Sequence, residues 1–119
     1  MINKQDYINC INQNIDIVRG DTLNFNFAIA GLGDSEPTFT FSIAEEYGEP
    51  PVVQADSDSG IDLVEEGEIF NEYSVIIEPV DTASLPVTIY YYSLVMELDG
   101  GIYTLMRGDF TLLHDVERG

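Results

Sequence analysis

The chain has no tryptophan, a single histidine and a single cysteine, Cys10. A lone cysteine closes no internal disulfide, so the layers of a small domain must be joined here by packing alone, as in proteins that fold in a reducing compartment. Basic side chains are nearly absent. Lys4, Arg19, Arg107 and Arg118 stand against 22 acids, for a formal net charge of -18, and none lies between residues 20 and 106. Nucleic-acid binding rests on neutralising phosphates with Lys and Arg, so no DNA or RNA contact is expected. Attraction to an anionic membrane fails for the same reason. No apolar run is long enough for a membrane-spanning helix, and the opening MINKQDYINC lacks the apolar core of a signal peptide.

What is present suits strands. Hydrophobic residues make up 45%, and the aromatics are 7 Tyr and 6 Phe set among Val, Ile and Thr. A length of 119 residues supports one domain, residues 1–119, with a real core but not two independent ones. The excess of acid has two readings: a solvated surface that keeps a β-protein soluble, which is the commoner case, or an acidic surface that docks on a basic partner.

Period-two alternation carries the secondary structure. Residues 22–29 (TLNFNFAI) put Leu23, Phe25, Phe27 and Ile29 on one face. Residues 38–44 (TFTFSIA) do the same with Phe39, Phe41 and Ile43, and the shared pattern suggests that the two pair as neighbours. Residues 11–18 form a first, edge-lying strand, and Arg19-Gly20-Asp21 a turn. The acidic stretch 45–68 reads as short edge strands between exposed loops. Residues 69–78 alternate through Tyr73, Val75 and Ile77, and Pro79 ends them.

From residue 88 onward Tyr90, Tyr92, Leu94, Met96 and Leu98 share a face, with apolar residues also opposite, as in a central strand or one covered by a partner. Asp99-Gly100-Gly101 signals a hairpin. The returning strand carries Tyr103 and Leu105, then Phe110 and Leu112, with a bulge or bend expected at Arg107-Gly108-Asp109. No helical period persists. About seven strands with turns between them close most naturally as an all-β, two-sheet antiparallel sandwich; a small closed barrel is the alternative.

Candidate sites are few. His114, in LLHDV, would need a nucleophile or an orienting carboxylate to act as a base, and reads better as an exposed end-of-strand residue. Cys10 has no histidine near it in sequence, and an acidic chain does little to favour a thiolate. Asp56, Asp58 and Asp62 around Gly60 resemble a calcium loop, but an EF-hand places glycine sixth and glutamate twelfth, where this chain has Ile61 and Gly67. A solvated loop is the simpler reading. Acid count alone says nothing of a glycosidase pair, which needs a fixed separation.

The two RGD tripeptides, at residues 19–21 and 107–109, read as local geometry. Among Tyr90, Tyr91 and Tyr92, successive side chains must point to alternate faces. If Tyr91 is outward with Val95 beside it, the two form a candidate interface against the other sheet, a loop or another protein; packing within the core has a slight edge.

Several elements recur in a fixed order: Arg19-Gly20-Asp21-Thr22 before an alternating strand; Asp81-Thr82 and Leu85-Pro86 before Tyr90-Tyr91-Tyr92-Ser93-Leu94; then Asp99-Gly100, Tyr103-Thr104-Leu105, Gly108, Phe110 and Asp115-Val116. In this order and spacing, over nearly the whole chain, the sequence resembles the immunoglobulin-like domain at the N-terminus of tailed-phage baseplate upper proteins and related prophage tail proteins. It departs from that pattern at Val87-Thr88, Ser93 and Glu117. The resemblance implies an immunoglobulin-like sandwich without catalytic, cofactor or metal residues. It implies a structural part or docking module of a phage or prophage tail or baseplate, assembled in the bacterial host cytoplasm with other tail proteins; on the docking reading of the acid excess, one of these would offer a basic surface. Such a chain would be a standalone virion component or a domain of a longer protein. A carbohydrate- or cell-surface-binding sandwich, calcium-assisted through Asp56 and Asp58, is the alternative from another class.

Overall fold

A computed structural model describes residues 11–30, 36–67 and 70–114. Its strands are β1 (Ile11–Asn12), β2 (Ile15–Val18), β3 (Leu23–Ala30), β4 (Thr38–Ala44), β5 (Val53–Asp56), β6 (Ile61–Glu66), β7 (Phe70–Ile77), β8 (Ile89–Leu98) and β9 (Gly101–Leu113), with one helical turn, α1 (Pro79–Thr82), between β7 and β8. One sheet has the order β1-β9-β8-β4-β5, with β2 also on β9; the other has the order β3-β7-β6. This is an immunoglobulin-like β-sandwich. The smaller sheet corresponds to strands B, E and D of that fold, and β9-β8-β4-β5 to G, F, C and C′ of its variable form.

The expected strands are present, and the expected inward residues meet between the sheets. Phe39, Phe41, Ile43, Val75, Ile77, Tyr90, Tyr92, Leu94 and Met96 are all buried. Three features depart from expectation. The first strand is two short pieces broken at Gln13-Asn14, and both run parallel to β9, whereas the other pairings between these strands are antiparallel. Strands β3 and β4 are not neighbours: β3 pairs along its whole length with β7, and β4 lies between β5 and β8. Two strands with matching apolar faces can bury them by facing each other as well as by lying side by side. Here they face, with Phe25 and Phe41 ring centroids 5.7 Å apart and those of Phe27 and Phe39 5.0 Å apart.

The third departure is the bulge. Leu94 is opposite Met106 and Val95 opposite Thr104, so Leu105 is the extra residue on β9, while Arg107, Gly108 and Asp109 pair regularly with Ser93, Tyr92 and Tyr91. An extra residue lets Leu105 and then Phe110 and Leu112 all reach the core despite the odd interval between them. Gly108 has another cause. A Cβ there would collide with the Gln13 carbonyl, where the β1–β2 link crosses β9. That link is tied by Gln13 N–H donating to Arg107 O at 3.0 Å, Asp109 N–H to Asn14 Oδ1 at 3.1 Å, and the Tyr92 hydroxyl to Gln13 O at 2.5 Å.

The β8–β9 hairpin turns through Asp99 (φ 49°) and Gly100 (φ 83°), the pair of positive dihedrals that a two-residue type I′ turn requires. At the opposite end, the Tyr90 hydroxyl donates to Pro86 O at 2.7 Å, closing a tyrosine corner at the entry to β8. Fully buried Thr82 accepts the Gly20 N–H at 3.1 Å, so α1 holds the β2–β3 turn in place.

Phe41 touches both Phe25 of the opposite sheet and Tyr92 of its own. Phe41→Ala is therefore expected to destabilise the domain by about 3–5 kcal/mol in urea unfolding, the range for a buried aromatic truncated to a cavity. Burial, then the nearby Glu45 carboxylate, raises the Tyr90 hydroxyl above its ordinary value. The folded chain keeps that proton at pH values where the unfolded chain releases it. Stability from Tyr90 is thus full below the unfolded pKa of about 10 and falls as pH rises through the higher folded value. Tyr90→Phe should cost about 1 kcal/mol at neutral pH and reduce the alkaline fall, measured by urea titrations from pH 7 to 11.

A candidate interaction surface on the six-stranded sheet

Alternation on β8 decides where Tyr91 and Val95 go. Tyr90, Tyr92, Leu94 and Met96 fill the core, so Tyr91, Ser93 and Val95 point to the outer face of the six-stranded sheet, where they are half-buried by their neighbours. Packing within the core is thereby overturned for both residues. Register sets three cross-strand rows on this face: Thr40, Val95 and Thr104; Ser42, Ser93 and Arg107; Ala44, Tyr91 and Asp109. Beyond β4 the first row continues to Asp56 and the second to Gln54 on the edge strand β5. From β4 to β9 the first two rows carry no carboxylate.

Tyr47, from the loop after β4, folds over the third row. Its ring lies 4.7 Å from that of Tyr91, its hydroxyl donates to Gly108 O at 3.4 Å, and the Arg107 guanidinium sits 5.4 Å from its centroid. Arginine over a tyrosine face is held by the ring quadrupole, and a ring pair in contact exposes area with little freedom left to lose. On the other side Gln54 Nε2 donates to Ser42 Oγ at 3.1 Å. Tyr47 keeps 55% of its surface exposed.

Carboxylates surround this area rather than fill it. Glu45, Glu46 and Glu49 lie on the Tyr47 loop, Asp56 on the edge strand β5 opposite Thr40, and Glu97 and Asp109 on β8 and β9. The outer face of the smaller sheet is built differently. Glu65 stands opposite Glu72, Asp62 is one pair removed, and Glu72 accepts from Asn26 Nδ2 at 3.1 Å.

The other sequence candidates are dispersed. Asp56 Oδ1 accepts the N–H groups of Asp58 and Ser59, each at 2.9 Å, so its carboxylate closes a turn. Asp62 lies on β6 opposite Ser74. Among the described residues no three His, Cys, Asp or Glu side chains gather as a metal site. His114 is exposed just past β9, and Cys10 lies outside the described residues.

Acids also line clefts among the described residues. One, of about 290 Å³, is lined by Asp62, Glu78 and Asp81 beside Gly60, and the Asp81 carboxylate in it accepts the Glu78 N–H at 3.0 Å. Another, of about 400 Å³, lies between the Glu45–Glu49 loop and Thr88, Ile89 and Tyr90. Sequence reasoning missed Tyr47 and the part played by Arg107. The one available signal was an aromatic alone in the acidic run EEYGEP.

No family model matches the chain, and no curated protein does. Among solved structures, a family 123 glycoside hydrolase from Clostridium perfringens, described for glycolipid glycan hydrolysis, superposes with a TM-score of 0.57 at 16% identity, over 94% of this chain. This chain spans 25% of that hydrolase. An uncharacterised protein from Bacillus anthracis gives a TM-score of 0.42 at 14% identity, covering 97% of this chain and 94% of that one. A structure of VGSC beta subunits, described for multimeric cell-adhesive interactions, gives 0.45 at 11% identity, covering 86% and 92%. The likeness to the hydrolase is one of fold alone.

With Asp56 committed to its turn, Asp56→Ala should lower stability by about 1 kcal/mol, while Asp56→Asn, which keeps an acceptor oxygen, costs less. Millimolar calcium should shift the melting temperature of neither variant nor of the parent chain. A calcium-dependent rise in the parent that Asp56→Asn abolishes would contradict this reading.

Proposed function

We propose that the chain is a non-enzymatic structural component or docking module of a phage or prophage tail or baseplate. The observation that carries the docking role is the contrast between the two outer faces. In a chain with 22 acids, the centre of the outer face of the six-stranded sheet, from β4 to β9, is free of carboxylates and hydroxyl-rich, with Arg107 in it and Tyr47 and Tyr91 at one side. Interfaces combine an uncharged centre with aromatic and arginine contacts and a polar rim. The tail assignment is supported by the ordered series of motifs described above, from Arg19-Gly20-Asp21 to Phe110. Several of those residues hold the fold: Gly20 turns the chain into β3, Tyr90 makes the corner, Asp99-Gly100 makes the hairpin and Gly108 admits the β1–β2 link.

On this reading the chain joins other tail or baseplate proteins in the virion after assembly in the host cytoplasm. It contacts no nucleic acid and inserts in no membrane. No helix among the described residues is long and apolar enough to cross one. Immunogold electron microscopy of purified particles from the induced source strain, with antibody against this chain, tests the assignment. Label at the tail end is expected. Unlabelled particles, with the protein abundant in the matched lysate and its epitope accessible in the native state, would overturn it and favour a non-virion binding or assembly role.

A further inference from the structure

We infer that the outer face of the six-stranded sheet docks a different protein, whose contact surface has an uncharged centre bordered by Lys and Arg. The inference rests on the reading of the chain as a docking module and specifies the partner's chemistry. Three observations converge on it. From β4 to β9 the rows through Val95 and Ser93 present hydroxyls and a valine, which are cheap to dehydrate compared with carboxylates, and one guanidinium; the carboxylate that ends the first row, Asp56 on the edge strand, is engaged by the N–H groups of its own turn. Tyr47 and Tyr91 are already in tilted ring contact, and Tyr47 is braced by Arg107 and the Gly108 carbonyl, so a partner meets ordered rings. The border is acidic, with Glu45, Glu46 and Glu49 at the Tyr47 end and Glu97 further along the sheet.

Charge complementarity decides the occupant. A second copy of the chain would bring an acidic border against an acidic border, within the screening length of about 10 Å at 0.1 M salt, and add to the repulsion between two chains of net charge -18. A basic border on a different protein turns the same groups into attraction and faster encounter.

The test places the photo-crosslinker p-benzoylphenylalanine at Val95 or, on the outer face of the smaller sheet, at Asn26, in the full chain expressed in the induced strain. Cross-linked peptides are then identified by mass spectrometry. Val95 is expected to capture one partner protein at a segment flanked by Lys or Arg, and Asn26 is not. Tyr91→Ser should cut the yield from Val95 about tenfold, as should raising sodium chloride from about 0.05 to 0.5 M before irradiation. Ser93→Arg, which adds bulk and like charge facing the partner's border, is a second variant should Tyr91→Ser unfold, with folding checked by circular dichroism.

Capture of a second copy, capture only from Asn26, a partner segment without basic residues, a yield indifferent to salt, or no capture from Val95 in folded protein would each overturn the inference. Capture of a basic-bordered protein that is absent from tail particles would leave the docking face standing and remove the tail assignment instead.

Discussion

The contact on which the rest of the fold depends is the aromatic column Phe25–Phe41–Tyr92, which crosses from the smaller sheet into the larger one. Antibody domains join these layers with a disulfide and a buried tryptophan. Here Tyr92 stands two residues after the corner tyrosine, where the second of those cysteines would be, and Phe41 lies on the strand that would carry the tryptophan. The join is non-covalent. Its strength comes from burial and edge-to-face or stacked ring geometry, reinforced by a neighbouring cluster of Phe27, Phe39 and Tyr73 with centroids 4.5–5.5 Å apart.

Tyr92 does more than fill space. Its hydroxyl reaches the Gln13 carbonyl, and that carbonyl lies so close to β9 that only glycine fits at position 108. The parallel first strands, the glycine in β9 and the core therefore form one arrangement. The same arrangement shapes the outer face. Because Tyr90 and Tyr92 must point inward, Tyr91 must point outward, and Gly108 itself supplies the carbonyl on which Tyr47 settles.

Much of this was legible from the residues. Alternation located the main strands and their buried faces, since one apolar side and one polar side leave few choices over eight residues. The Asp99-Gly100 turn was legible because positive φ at two successive positions restricts the residue types. Partnership was not. Strands β3 and β4 have the same pattern whether they pair or face each other, and only the whole topology separates the cases. The bulge was misplaced because glycine at 108 suggested a break there, when the parity change between Leu105 and Phe110 was the firmer sign. Tyr47 was missed since a loop residue's reach onto a distant face leaves no period in the sequence. For Asp56, alternating acids suggested a metal loop, whereas the backbone N–H groups two and three residues on were already its partners.

The claim that joins fold to function is that assembly covers the outer face of the six-stranded sheet and leaves the opposite outer face free. Hydroxyl-radical footprinting of the free chain and of purified tail particles measures this directly, since tyrosine and phenylalanine rings oxidise readily when exposed. Tyr47 and Tyr91 report on the first face and Phe70, 37% exposed on β7, reports on the second. Loss of oxidation at Tyr47 and Tyr91 in the particle, with Phe70 unchanged, is the predicted result. Protection of Phe70 with Tyr47 and Tyr91 still oxidised would contradict the account.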